Sequence, residues 1–212
     1  MEIQFFGANC IRITTKKSSV VIDDDLGSLG KKAISKLEDV LVSTDVKKSS
    51  GHKDVKLYIN QPGEYEVSDV LIQGVPARSY KDEANKYSST IYKISNDDLN
   101  LVVVGHVHPE LSDAQLEEIG QADILLIPVG NSDFTLSGTD ALKLIKKIEP
   151  NIVIPTYYES LGVKYPEKVQ TLDEALKELA MEPSEILPKL KIKSSDITND
   201  DTTRLIVLEP NK

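Results

Sequence analysis

The sequence is short of sulfur, of aromatic bulk and of positive charge. A single cysteine, Cys10, excludes an internal disulfide and with it the cross-linked scaffolds of small secreted proteins. Tryptophan is absent and phenylalanine occurs three times, a scarcity that says little about function. No apolar run approaches the roughly 18 residues that a membrane-spanning helix needs. The N-terminal MEIQFFGANC has neither the basic flank nor the long apolar centre of an export signal. Together these absences predict a cytoplasmic protein with no membrane partner. Basic residues number 25 against 34 acidic ones, a formal net charge of −9. A protein that held nucleic acid by neutralising phosphates would lean the other way, so no nucleic-acid partner is expected. Lysine pairs at Lys16-Lys17, Lys31-Lys32, Lys47-Lys48 and Lys146-Lys147 stand mostly among acidic residues and read as solvated faces.

What is present is a globular composition, 40% hydrophobic and 28% charged, over 212 residues. It suits a single domain spanning 1–212. The first half reads as strands. IQFFGANCIRITT breaks at Gly7-Ala8-Asn9, and SSVVIDDD, VLVS, VKLYIN, DVLIQGVPA and SSTIYKIS follow with Gly, Pro, Asn and Asp between them. Their spacing is too short for crossover helices, which predicts antiparallel hairpins and meanders through much of this half. The second half alternates. LNLVVVG, ADILLIPVG, NIVIPTYY and TRLIVLEP are apolar strands, and SDAQLEEIG, SGTDALKLIKKIEP and TLDEALKELAME are capped, helix-periodic segments. Such alternation implies parallel strands covered by helices.

Chemically, GHVHPE is the most suggestive stretch. His106 and His108 lie two apart, which on an extended segment puts both rings on one side. A metal would suit them if Asp45, Asp23 or Glu110 converged there. Asp23-Asp24-Asp25 could be read as a magnesium cluster or, more plainly, as a strand end where one aspartate caps the following turn. Cys10, inside an apolar strand, reads as core. His52 reads as a surface residue. No Gly-rich phosphate loop and no nucleophile elbow is present.

Several words, in this order, resemble the metallo-β-lactamase fold, and in particular its small single-domain bacterial branch of lactamase-like zinc-dependent hydrolases. FFGANCIRI stands where the family commonly reads like Leu-Gly-His-Ser-Cys-Phe, and VVIDDD where it reads like Ile-Asp-Pro. QPGEYEVSDVLIQGVPA (61–77) carries that branch's Pro-Gly-Glu-Tyr-Glu-Val segment almost letter for letter. GQADILLIPVGNSDFTL and IEPNIVIPTYY match later strands, so the resemblance runs from about Met1 to Tyr158. It implies an α/β (α+β) architecture: a four-layer αββα sandwich of two mixed sheets with helices on the outer faces.

The same resemblance shows what has been exchanged. The family's His-x-His-x-Asp-His falls on Thr44, Val46, Lys48 and Ser49 in LVSTDVKKSSGHKD. Its Gly-Asp reads Gly105-His106, and its Pro-x-His-Tyr reads Pro155-Thr156-Tyr157-Tyr158. ARSYKDEANKY lacks a further histidine. Zinc takes three or four nitrogen, sulfur or carboxylate donors at about 2.0–2.3 Å. Val46 offers none. A lysine ammonium about 4 Å from a dication would cost roughly 8 kcal/mol at an effective dielectric near 20. The expectation is therefore a degenerate member with no catalytic residues and no cofactor, serving ligand binding or assembly. Thr44, Asp45, Lys48, His106 and Tyr157 should line its remnant cleft. The alternative is a zinc-dependent hydrolase of phosphoester, ester or lactone bonds, rewired around His106, His108 and Asp45. Expected partners are a small molecule or a protein, including a second copy of the chain.

Overall fold

The computed structural model describes residues 1–46, 54–197 and 202–211. Strands β1 (Glu2–Gly7), β2 (Cys10–Thr14), β3 (Ser19–Ile22), β4 (Val40–Val42) and β5 (Leu57–Ile59) come first. β6 (Gly63–Val67), β7 (Val70–Ala77), β8 (Ser89–Asn96) and β9 (Leu99–Val103) form a meander. Helix α1 (Asp113–Ile119), β10 (Ile124–Pro128), α2 (Gly138–Ile148), β11 (Ile152–Thr156) and α3 (Leu172–Leu179) then alternate, and β12 (Pro183–Leu187), β13 (Leu190–Lys191) and β14 (Arg204–Leu208) come last.

The strands make two mixed sheets, ordered β13-β1-β2-β3-β4-β5 and β12-β14-β11-β10-β9-β8-β7-β6. They pack face to face around one continuous apolar cluster that includes Ile3, Phe5, Ile13 and Ile22 from the first sheet and Ile72, Tyr92, Leu101 and Ile154 from the second. β1 alternates, with Ile3 and Phe5 buried and Glu2 and Gln4 turned outward, as a strand with one wet face must. β10 and β11 are buried at every residue because helices cover their outer side. Helix starts follow from local chemistry: Ser112 with Gln115, and Thr171 with Glu174, close reciprocal capping boxes, while Ser137 caps α2. α1 lies against β7, and α2 against β10 and α3. Among the described residues no helix is long and apolar enough to cross a membrane.

β1–β2–β3 and β6–β7–β8–β9 are antiparallel, as the short spacings of the front half predict, and the departure lies between them. β3, β4 and β5 run parallel, and the β3–β4 connection is irregular rather than helical. This crossover carries the chain back along the sheet's outer face. Leu26 and Ile34 of the first connection pack there on Cys10, Val21 and Leu41. The outer layer over the first sheet is therefore this irregular segment, and it delivers Asp23 and Thr44 to the same end of neighbouring strands. β6, β12 and β13, short strands that propensity did not mark, extend the sheets. Gly74 of β7 explains part of the Pro-Gly-Glu-Tyr-Glu-Val segment: a Cβ there would press within 3.0 Å of Pro62 and Thr90, so only glycine lets the β6 hairpin close.

Arg12 anchors the irregular layer. Its guanidinium grips both oxygens of Asp39 at 2.8 and 2.9 Å, and it also donates to Ser19 Oγ and to the Ile34 carbonyl. Asp39 in turn accepts from Lys36 N. Both side chains are nearly buried, 12% and 4% exposed. Removing one partner of such a pair leaves an uncompensated charge. Arg12→Met is expected to cost about 3–5 kcal/mol in urea unfolding; a loss indistinguishable from zero would contradict this account of the segment.

Candidate functional site

Parallel strands that end side by side leave a crevice at their carboxyl ends, the usual seat of ligands in open α/β sheets. Here β3 leads into Asp23, β4 into Thr44, β9 into Gly105-His106 and β11 into Tyr157. These ends touch. The Asp23 carboxylate accepts from Thr44 N at 2.7 Å on Oδ1, and from Thr44 Oγ1 and Asn9 Nδ2, both at 2.6 Å, on Oδ2. Thr156 Oγ1 donates to Asn9 Oδ1 at 2.6 Å, carrying the chain of bonds from the first sheet to the end of β11 in the second. Asn9, Asp23, Thr44 and Thr156 are all buried. They are the floor of the crevice.

The backbone is held out of its comfortable regions at the same place. Ala8, Asp23, Asn131 and Tyr157 have φ between 43° and 54°, a left-handed conformation that costs a side-chain-bearing residue roughly 1–2 kcal/mol. Gly105, at φ 65°, answers a second demand, because a Cβ there would lie 2.5 Å from Thr44 Oγ1. Such outliers gather at sites where the surroundings over-determine the backbone. At Asp23 the turn aims the carboxylate back at Thr44. At Tyr157 it lets the amide bond Ala8 O at 2.6 Å while the ring swings toward His106.

His106 and Tyr157 form one wall. Their rings meet edge to face with centroids 5.1 Å apart, and Tyr157 meets Tyr165 in the same manner at 5.2 Å. Ala8, Leu29 and Val169 close an apolar pocket around Tyr157. Burial, then the nearby Glu167 carboxylate, pushes the Tyr157 phenol far above its usual range, so it stays protonated. His106 Nδ1 lies 3.1 Å from the Phe134 carbonyl. A carbonyl can only accept, so Nδ1 carries a ring proton. Lys81 sits over the Phe134 ring, its Nζ 3.8 Å from the centroid, and pairs with Asp133, pinning this wall from outside. Asp45 approaches through an isolated bridge to Ser89, whose hydroxyl donates to His106 O.

His108 diverges from His106, because the segment bends at 106 instead of staying extended. Its ring packs near Tyr80, and Nδ1 accepts from Glu110 N at 3.2 Å. Burial first, and the Arg78 guanidinium second, lower its pKa against the opposing pull of Glu110 and Asp140. Arg78 follows β7; its carbonyl accepts from His108 N at 2.8 Å.

The expected cleft residues Thr44, Asp45, His106 and Tyr157 thus meet at one end of the sandwich, with Thr44 wholly buried in its floor. Lys48, Ser49 and His52 lie outside the described residues. Asn9, Thr156 and Arg78 belong to the site without having been singled out; Asn9 stood inside a quoted motif, but nothing local signals its partners. Cys10 is core, its thiol pushed well above its ordinary range by burial and then by Asp24 and Asp23. As a test for zinc, the donor set is wanting: among the described residues no three His, Cys, Asp or Glu side chains converge as ligands, so His106, His108 and Asp45 are not one coordination shell.

Residues 2–157 match the beta-lactamase superfamily domain, and the chain belongs to that family. The architecture is that of its metallo-β-lactamase branch. A candidate zinc-dependent hydrolase of the metallo-β-lactamase superfamily from Thermotoga maritima superimposes with a TM-score of 0.77 at 22% identity, covering 99% of each chain. A candidate metal-dependent hydrolase from Parabacteroides distasonis gives 0.64 at 15% identity, over 99% of this chain and 93% of its own. CmlA, a diiron β-hydroxylase from Streptomyces venezuelae, gives 0.64 at 13%, over 99% of this chain and 53% of its own. No protein of curated function matches the sequence. These neighbours correct the expectation of a protein without a cofactor: they are named for zinc, for a metal and for two irons, so the fold goes with metal use, although the described residues do not complete a ligand set.

Two outcomes follow from the geometry. In Asp23→Asn the amide has one acceptor where two oxygens now serve three donors, so its NH2 must face another donor in either orientation. The variant should lose roughly 1–3 kcal/mol by chemical denaturation, and an unchanged midpoint would contradict the assigned bonds. For His108, a folded pKa below the ordinary 6.5 means stability that is full above 6.5 and lost as pH falls through the lowered native value. Its ring resonances should titrate below pH 6.5, and His108→Gln should flatten the acid-side decline in melting temperature.

Proposed function

We propose that this protein is a metal-dependent hydrolase acting on a phosphoester, ester or lactone bond of a small cytoplasmic molecule, from the crevice where β3, β4, β9 and β11 end. The observation that carries the reading is His106. It occupies the Gly105-His106 corner beside the Asp23–Thr44 floor, with Nδ1 tied to Phe134 O and its face set by Tyr157. A backbone carbonyl on one ring nitrogen is the arrangement that orients an imidazole to present the other as a base or a ligand. The strained strand ends around it support the same placement. Metal dependence enters from the family and from the names of its structural neighbours.

A second reading, ligand binding without turnover, is favoured by one observation. Both Asp23 oxygens already serve Asn9 and Thr44, which leaves this carboxylate committed to holding the fold. Metal analysis of untagged protein, joined to a turnover screen over p-nitrophenyl phosphates, acyl esters and γ-lactones, separates the two. The expected result is a near-stoichiometric transition metal and a turnover that falls roughly 100-fold or more in folded His106→Ala. Metal-loaded protein inert toward all three bond classes would overturn the hydrolase and leave the binding protein.

A further inference from the structure

Arginine is scarce in this chain, and two of its three guanidiniums have plain surroundings or duties. Arg12 is clamped to Asp39, and Arg204 opens β14 at the far side of the second sheet. Arg78 is different. It is half-buried, its Nε is shut away from solvent, and among the described residues that nitrogen has no acceptor. Among the described residues no carboxylate pairs with its guanidinium. A sequestered N–H without an acceptor is costly, more so on a charged group, and native proteins rarely leave one without a reason.

The described acids nearby have other partners. Asp82, in the same loop, accepts from Ser79 N, Ser88 N and Ser88 Oγ. Asp140 holds Lys143 at 2.9 Å and Ser137 at 3.1 Å. The remaining carboxylate near His108, Glu110, is 85% exposed to water and faces the imidazole at 3.9 Å. Asp82 and Asp140 are thus engaged elsewhere, in a chain whose net charge is −9. The backbone at Arg78 borders the site. Ala77, just before it, pairs with Ser89, which bridges Asp45 and bonds His106 O, and Ser79, just after it, bridges Val107. Beside it, His108 has Nδ1 engaged as an acceptor, so its ring proton sits on Nε2 as a further donor.

The geometry points to Arg78 as the anchor for a small oxyanion, a phosphate or carboxylate group of the molecule that occupies the crevice. A guanidinium offers paired donors matched to two oxygens of either group, and it binds them in a partly dry setting far better than in bulk water. This rests on the crevice assigned above as the binding site but not on turnover there.

Calorimetric titration and melting-temperature shifts with inorganic phosphate, phosphoglycolate and succinate, at low ionic strength, test it on the intact protein, with Arg78→Met and Arg78→Lys alongside. Wild type should show saturable binding of phosphate-bearing or carboxylate-bearing ions; which arm responds identifies the group. Arg78→Met should bind at least about tenfold more weakly, and Arg78→Lys should fall between. Without added anion, Arg78→Met should melt no lower than wild type, because no described residue pairs with its guanidinium. No saturable binding of any of the three ions, equal binding by Arg78→Met, or a marked loss of stability in Arg78→Met without anion would each overturn the proposal. Binding that needs Arg78 in a protein that hydrolyses nothing would leave this inference standing and remove the hydrolase.

Discussion

One carboxylate ties the working end of the molecule together. Asp23 ends a strand of the first sheet, receives the amide and hydroxyl of the next strand's end, and reaches through Asn9 to Thr156 in the second sheet. A charged acceptor serving three donors away from water is worth more than three ordinary bonds, since charge-assisted bonds are roughly twice as strong and the surroundings screen little. It is also unforgiving, because every member leaves an unsatisfied partner if removed. The left-handed turns at Asp23 and Tyr157 are affordable only in such a frame.

Much of the architecture could be read from the chain. The three helices announce themselves by Ser112, Ser137 and Thr171 at their starts and by the 3.6-residue recurrence of Leu142, Ile145 and Ile148. The buried strands β10 and β11 show as unbroken apolar runs. The parallel set β3-β4-β5 does not, because parallel pairing is usually recognised by the helix between strands, and the connection from β3 to β4 holds none. β6, β12 and β13 escaped for the opposite reason: they lie at or near sheet edges, exposed and short, where neither alternation nor length distinguishes them from loop.

The site was legible in position and not in content. Motif order placed Thr44, Asp45, His106 and Tyr157 at one end of the fold, and the structure gathers them there. What could not be read is who bonds to whom. Asn9 and Thr156 meet across 147 residues of sequence, and neither is of a type that proclaims chemistry. Arg78 was invisible because its interest lies in what it does not touch, a property that exists only in three dimensions. The two histidines misled in the other direction: a spacing of two aligns rings on a straight strand, but a bend at His106 sends them to different neighbours. The reading of a cofactor-free protein rested on motif letters alone, and the family's metal-named neighbours outweigh it.

The irregular layer over the first sheet has a further meaning. Leu26 and Ile34 press on its outer face, Asp39 is clasped by Arg12, and the segment that carries them begins at Asp23. Cover and crevice are thus consecutive lengths of one strap. Evolution cannot retune the pocket of such a protein by editing a detachable loop, as it does where sites are borne on independent insertions. Any lineage that reshaped the mouth would have had to keep the flank sealed in the same step, so divergence here should proceed by paired exchanges across the strap rather than by solitary ones.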